Sequence, residues 1–240
     1  MTSALSTKPR SKPAKSASKS KPNAKKSKSG QIEKLTRDRI IKKALSLVRK
    51  DGLQNLTMRR LADELDVATM ATYRHFENRD ALVIALVDEV CRKRLACKPE
   101  KGSTWQEQVR RQAAHSFETF IRYEGLPEYI VKYGPHTENG LRVINVWLTI
   151  LTEAGFSEED AVYTFQTIGM LVASTVEFSK KTRGGKASWT YINRRNFPSE
   201  MLTDLPAIDK SIDQFDHSQK SIVSWCTEQI IVALERKQAG

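Results

Sequence analysis

The apolar residues of this chain recur with the spacing of an α-helix, and this spacing favours an all-helical fold. Five of them fall on one face of the segment 35–51, opposite a basic face: Ile40, Ile41, Ala44, Leu45 and Val48. Gly52 follows this segment and suits a left-handed C-cap. No stretch between residues 35 and 97 alternates apolar and polar side chains as a strand does. We therefore predict an all-α fold.

Two short helices joined by a tight turn are predicted within residues 57–76. Thr57 is a good N-cap for the first, which ends near Asp66, and the second covers about residues 69–75. Asn78 can cap a longer fourth helix. Two short helices separated by three or four residues are typical of a helix-turn-helix, whose second helix lies in the major groove of DNA. The spacing alone also fits a small helical bundle with a polar face.

The second short helix carries side chains that suit DNA recognition. Hydroxyl and phenol groups can bond phosphates, methyl groups can contact a thymine methyl, and arginine can bond guanine bidentately. The predicted outward-facing residues of this helix are Thr69, Met70, Ala71, Tyr73, Arg74 and His75. Arg59, on the first turn of the preceding helix, is predicted to face the same groove.

The sequence TMRRLADELDV at residues 57–67 is followed by YRHF at 73–76 and by NRDAL at 78–82. Together these sequences resemble the DNA-binding domain of the TetR family over about residues 35–90, without a gap. The resemblance implies a three-helix DNA-binding domain that a fourth helix links to a helical ligand-binding body. It implies phosphate contacts from Thr57, Tyr73, His75 and Arg79. It implies base contacts from Arg59, Thr69, Met70, Ala71 and Arg74.

Three positions depart from the family pattern. Asp66 stands where the family often has glycine in the turn, although Asp tolerates the left-handed backbone region. Ala68 replaces a common capping serine, so Thr69 either caps the second short helix or contacts bases. Thr72 occupies a position that is usually apolar. These departures leave the operator sequence open.

The remainder of the chain is also predicted to be helical, near residues 105–123, 138–154, 157–181 and 218–237, with a long loop at 182–200. Short sequences in it resemble the tetracycline-repressor branch of the family in order and approximate spacing: WQE at 105–107, SF at 116–117, EAGFS at 153–157, IG at 168–169, FDH at 215–217 and EQII at 228–231. The resemblance implies a homodimer held by a four-helix bundle, with two helices from each chain.

The same branch binds a tetracycline–magnesium chelate through a histidine and a late acidic residue. The matching positions fall near Val131 or Lys132 and on Phe178, beside Glu177. A hard cation needs several oxygen ligands, so we predict an effector that binds without a metal or other cofactor. The predicted pocket suits a largely apolar or aromatic small molecule, although core packing is the favoured explanation for any one position taken alone: Gln112 (or Ala113), Phe117, Trp147 and Met170, with Glu177 nearby.

Most of the net charge of +12 lies in residues 1–30, which hold eight lysines, one arginine and no acid. This segment is predicted to be a disordered basic tail, because so few apolar residues cannot offset the entropy of ordering. It either tethers the protein to DNA phosphates or is inert. We predict a helix-turn-helix domain at 31–80 and a ligand-binding and dimerisation domain at 81–240.

Composition favours a cytoplasmic protein that has no membrane partner. No apolar run approaches the roughly 20 residues that a membrane span needs, and the basic N-terminus lacks the apolar region of a secretory signal. The three cysteines, Cys91, Cys97 and Cys226, form no CxxC pair and are predicted to be reduced thiols.

An enzyme is not expected. None of the four histidines, at positions 75, 115, 136 and 217, lies beside a cysteine or carboxylate at a metal-site or catalytic-triad spacing, and no P-loop or dinucleotide fingerprint occurs. The sequence predicts a ligand-responsive repressor that binds palindromic operator DNA as a homodimer and is released by a small-molecule inducer. The alternative is an architectural DNA-binding protein that senses nothing. An internal pocket would favour the sensor, and a solid core the architectural protein.

Overall fold

A computed structural model describes residues 34–95, 97, 100, 102–134, 136–178, 192–215 and 218–239. The predicted tail at 1–30 and most of the predicted loop at 182–200 lie outside these residues. Every regular element within the described ranges is a helix, which confirms the all-α prediction. The chain from Leu35 onward forms one compact unit.

The N-terminal part, within the described ranges, consists of α1 (Arg37–Asp51), α2 (Met58–Leu65), α3 (Thr69–Tyr73) and α4 (Arg79–Arg94). We call α1–α3 the head. The helices that follow form the body: α5 (Trp105–Phe120), α6 (Leu126–Tyr133), α7 (Glu138–Glu153), α8 (Glu158–Phe178), α9 (Ser199–Thr203), α10 (Pro206–Ser211) and α11 (Gln219–Ala239). Short 3-10 turns occur at Leu53–Asn55, Arg194–Asn196 and Ile212–Phe215.

The head begins and ends its helices largely where the sequence predicts. The Thr57 hydroxyl oxygen accepts the Arg60 backbone N–H and caps α2, and the Asn78 side chain accepts the Ala81 backbone N–H and caps α4. Asp66 ends α2 in the left-handed region, with φ 55° and ψ 50°. These caps supply partners for backbone groups that a helix end leaves unbonded.

Three residues of the head, Gly52, Thr69 and Thr72, refine the predictions made from the sequence. Gly52 is the C-cap of α1 and has the positive φ, 81°, that favours glycine, but its ψ of 161° lies outside the left-handed helical region, and the chain turns at once into Leu53–Asn55. Thr69 is the first residue of α3 and does not cap it, since Ala68 holds the N-cap position without a side-chain bond. Thr72 is buried, and its hydroxyl donates to the Thr69 carbonyl at 2.7 Å, which satisfies a polar group at an apolar position.

The body contains helices that the apolar pattern did not predict. Helix α6 is short, follows Gly125, and carries Pro127 in its first turn before Gly134 ends it. Helices α9 and α10 are shorter still, with five and six residues. Helices of this length bury too few side chains to give a periodic signal. By contrast, α5 starts at the predicted site with a capping box between Thr104 and Glu107.

Helix α4 lies between the head and the body and is buried on more than one side. Seven of its apolar side chains belong to a single core that also includes residues of α1, α2, α5, α7, α8 and α11: Leu82, Val83, Ala85, Leu86, Val87, Val90 and Cys91. It packs against α1, α5 and α7. The Asp88 carboxylate also accepts hydrogen bonds from the backbone and side chain of Asn139 at the start of α7. The head therefore shares its core with the body.

A second contact joins head and body through the turn between α5 and α6. The Leu53 backbone N–H donates to the Glu124 carbonyl at 2.9 Å, and the Arg49 guanidinium donates to the Tyr123 hydroxyl at 3.0 Å. Gly125 follows, with φ 83°, and a Cβ atom there would lie 2.9 Å from the Leu53 Cβ. Glycine is therefore required at 125 both by the backbone conformation and by the approach of the head.

A pair of glycine substitutions separates these two requirements. Gly155 also has a positive φ, 92°, but a Cβ atom added there would meet no described atom within 4 Å. Gly155→Ala should therefore cost only the backbone strain, about 1–2 kcal/mol. Gly125→Ala should cost a further 1–3 kcal/mol or so, because it also overpacks the head–body contact. Urea unfolding at one protein concentration measures both, and equal costs would show that the 53–125 contact is not tight.

Candidate functional site

The exposed surface of the head is formed by α3 and the first turn of α2. On α3, Tyr73 and Arg74 are exposed, and Met70 is 69% exposed although it is apolar. Thr69, Ala71 and His75 are half-buried, and Thr57 and Arg59 of the α2 start are exposed. All the residues predicted to contact bases thus lie on α3, directly after it, or on the first turn of α2.

The arginines of the head divide into two groups. Arg59 and Arg74 are exposed and make no hydrogen bond or ion pair with any residue that the structure describes. Arg37 donates to the His75 carbonyl at 3.0 Å and stacks 4.2 Å from the Phe76 ring centroid, so it braces the end of α3. Two guanidinium groups are therefore free for an external partner, and both were predicted to contact bases.

Arg60 and Arg79 brace the connection between α1 and α2. Arg60 pairs with the Asp51 carboxylate at the end of α1. Arg79 is half-buried and donates to the carbonyls of Leu56 and Leu53 at 2.8 and 2.7 Å. Two of the five N–H donors of Arg79 are thus engaged within the head, and its contact with a phosphate stays a prediction.

The hydroxyl groups predicted to bond phosphates keep a free proton. The Thr57 oxygen accepts a backbone N–H as a helix cap, which leaves its hydroxyl proton available. The Tyr73 hydroxyl makes no hydrogen bond to the described part of the chain. Both groups can therefore donate to a DNA backbone without losing an internal bond.

A cavity of about 400 Å³ lies in the body between α4, α5, α6, α7 and α8. We call it the body cavity. Its walls are mainly apolar, with a few polar groups: Cys91, Arg94, Ser116, Phe120, Ile130, Gly140, Ile144, Trp147, Phe165, Gln166, Gly169 and Met170. This size and lining are typical of a site for a small organic molecule.

The body cavity includes two of the five predicted pocket residues. Trp147 and Met170 line it, whereas Gln112 and Phe117 are buried outside it and Glu177 is not among its walls. The Gln112 amide donates to the Cys97 carbonyl at 3.0 Å, and Phe117 faces a cleft toward α11. For these three residues, ligand contact stays a prediction.

Arg94 is the cavity residue of most chemical interest that the sequence reasoning missed. It lies four residues after Val90 and eight after Leu86, so it continues the buried stripe of α4. A charged side chain in register with an apolar stripe was the signal that could have found it. Burial lowers the pKa of Arg94 to about 10, and burial also raises the pKa of the neighbouring Cys91 thiol to about 11.

Two family descriptions match this chain over its head and body. Residues 40–86 match "Bacterial regulatory proteins, tetR family", and residues 98–217 match "Tetracyclin repressor-like, C-terminal domain". The chain belongs to the TetR family. It is therefore a DNA-binding transcriptional regulator with a helix-turn-helix head, as the sequence predicted.

Relatives within the family match over most of their length. The tetracycline repressor protein class D of Escherichia coli is 24% identical over 207 residues, which cover 85% of this chain and 94% of that protein. The crystal structure of the Streptomyces coelicolor TetR family protein ActR in complex with actinorhodin is 25% identical, covers 85% of this chain and 98% of ActR, and has a TM-score of 0.68. Apo ActR is 26% identical, with a TM-score of 0.68 and coverage of 83% and 94%.

Val131 and Lys132, the two candidates for the position of the metal-binding histidine in the tetracycline-repressor branch, lie in different surroundings. Val131 lines the body cavity, whereas the Lys132 ammonium lies 4.9 Å from the Tyr133 ring centroid. Within the described ranges, histidine, cysteine and acidic side chains form no group of three or more that could hold a metal ion. Nor is any described helix both long and apolar enough to cross a bilayer.

Proposed function

We propose that this TetR-family protein is a homodimeric repressor that binds palindromic operator DNA and is released by a small organic inducer bound in the body cavity. The observation that carries the proposal is the position of the cavity. It reaches the C-terminal end of α4, the helix whose other end lies beside the DNA-facing surface of the head. A ligand in the cavity therefore contacts an element that positions the head.

The proposed DNA contacts divide by chemistry. Arg59 and Arg74, whose guanidinium groups are free of described partners, read base edges together with Thr69, Met70 and Ala71. Thr57 and Tyr73 donate to phosphates, with His75 and Arg79 completing the backbone contacts. The free hydroxyl protons of Thr57 and Tyr73 and the free guanidinium groups of Arg59 and Arg74 support this assignment, since these groups need break no internal bond on binding.

The proposed dimer face lies on α8 and α11, which have 21 residues each and pack against one another. Two large apolar side chains on each helix are exposed and stand seven residues apart, two helical turns: Tyr163 and Met170 on α8, Trp225 and Val232 on α11. Long helices with apolar residues at this spacing pair into bundles. A second copy of this chain would cover both faces in a four-helix bundle.

The body cavity favours a sensor over an architectural protein. An architectural protein needs no pocket among its helices, whereas the five helices that line the body cavity leave about 400 Å³ between them that a solid core would fill with side chains. The solved structure of ActR with actinorhodin shows that a similar fold binds an organic ligand. We propose that the inducer favours an arrangement of the two heads that does not fit one face of DNA, so it must weaken DNA binding by the same factor that DNA weakens inducer binding.

Two substitutions test the assignment of DNA contacts. Arg59→Ala should cost about 1–3 kcal/mol on the preferred operator and relax sequence preference, because it removes a base contact. Tyr73→Phe should weaken binding to all sequences alike, because it removes a phosphate contact. Selection of bound sequences from a random DNA pool, followed by titrations on the selected and a scrambled duplex, measures both. Equal effects of the two variants on both duplexes would contradict the assignment.

A charge placed on the proposed dimer face tests the assembly. Trp225 is 65% exposed on α11 and Leu141 is 62% exposed on α7, which is not one of the two helices of that face. Trp225→Glu should yield a monomer with much weaker operator binding, since two-fold symmetry places the heads roughly 34–36 Å apart on DNA. Leu141→Glu should leave the dimer intact. Light scattering after size exclusion gives the masses, and a monomeric unmodified protein would refute the dimer.

A further inference from the structure

Arg94 places a buried positive charge in the wall of the body cavity. It is the last residue of α4, only 7% of its surface is exposed, and it lines the cavity together with Ser116 and Phe120. Charged side chains are seldom buried to this extent without a partner of opposite charge. The surroundings of Arg94 therefore bear on what the cavity binds.

The internal bonds of Arg94 leave the guanidinium incompletely satisfied. One Nη donates to the Ser116 hydroxyl, which in turn donates to the Gln112 carbonyl at 2.6 Å. The guanidinium carbon lies 5.2 Å from the centroid of the Phe120 ring. The Nε atom is buried and has no hydrogen-bond partner in the part of the chain that the structure describes. The contacts fix the position of the group while leaving a donor unused.

No carboxylate among the described residues neutralises this charge. Burial lowers the pKa of Arg94, and the only described groups that oppose this are the thiols of Cys91 and Cys97, neither of them a carboxylate. Burial of the His115 ring and, after it, the charge of Arg94 lower the pKa of His115. Asp88, one turn before Cys91, is occupied by its hydrogen bonds to Asn139. With a pKa of about 10, Arg94 remains protonated at neutral pH. Within the described chain the charge is thus buried and uncompensated, a costly arrangement unless another group pairs with it.

The rest of the cavity wall indicates what the uncharged part of such a partner must be. Phe120, Trp147 and Phe165 present aromatic rings, and the rings of Trp147 and Phe165 lie 6.3 Å apart. Gly140 and Gly169 leave space beside them. Flat, apolar ligands pack well against rings of this kind.

We propose that the body cavity binds an aromatic organic anion, a carboxylate or similar oxyanion, whose charged group pairs with Arg94 while its rings pack against Phe120 and Trp147. This inference rests on the proposed function and specifies the class of its inducer. A planar guanidinium with a free N–H matches an oxyanion closely. Because Arg94 ends α4, the anion would bind to the helix that positions the head.

Two fluorescent probes that differ by one charged group test the inference: 8-anilinonaphthalene-1-sulfonate, and N-phenyl-1-naphthylamine, which lacks the sulfonate. Fluorescence titrations of the full-length protein should show tighter binding of the sulfonate. Arg94→Met should weaken sulfonate binding at least about tenfold, the loss expected for a hydrogen-bonded charge pair. It should change binding of the neutral probe far less. Arg94→Lys, which keeps the charge but loses the planar fork, should fall in between.

Controls separate the possible failures. Ile144→Trp, which fills the body cavity from α7, should weaken binding of both probes, and unchanged binding would count against the cavity as their site. Arg94→Met should unfold no earlier in urea than the unmodified protein, because it removes an unpaired buried charge. Equal loss of both probes, or no loss of the sulfonate, in Arg94→Met would overturn the inference. If neither probe binds the unmodified protein, the proposed effector cavity fails and the inference fails with it.

Discussion

The burial of α4 between head and body is the packing on which the rest of the molecule depends. Seven of its apolar side chains are buried, and each of the five buried leucines and valines contributes about 1.5–3 kcal/mol relative to an exposed side chain. Because α1 covers one side of the helix and α5 and α7 cover others, neither head nor body can move freely with respect to α4. The head, whose α2 and α3 are short, is stabilised by this shared core, and through α4 the body cavity lies on the same helix as the head.

Arginine illustrates how the surroundings of one residue type determine its use. Arg37 and Arg79 donate to backbone carbonyls and Arg60 pairs with a carboxylate, so these residues hold the helix-turn-helix in shape. Arg59 carries the same group without a partner among the described residues, at the surface that we propose faces DNA. Arg94, in the wall of the body cavity, has one bonded Nη and a buried Nε without a partner among the described residues. Pairing thus separates Arg37 and Arg60, which support the fold, from Arg59 and Arg94, which keep donors for a ligand. Arg79 serves both purposes in our proposal, because only two of its N–H groups are engaged within the described chain.

The sequence predicted the head more fully than the body, for physical reasons. Helix starts in the head are specified locally, by Thr57 and Asn78, so capping rules find them. The walls of the cavity depend on how five helices pack, and that packing is not encoded in any one segment. Gln112 and Phe117 were predicted to contact a ligand because their positions resemble those of the family, yet both lie outside the body cavity. Arg94 was not predicted, although the apolar residues of the same helix face were recognised. Helix α6 escaped prediction because glycines at its ends, rather than a periodic pattern, define it.

The central claim is that head and body share one core through α4, and native-state hydrogen exchange tests it most directly. Leu86 is fully buried in α4, and Leu86→Ala should lower stability by about 2–5 kcal/mol. The account predicts that the slowest-exchanging amides of α2 in the head and of α7 in the body lose protection by the same amount. Loss of protection in only one of these two helices would show that head and body are separate cooperative units, and would contradict the claim.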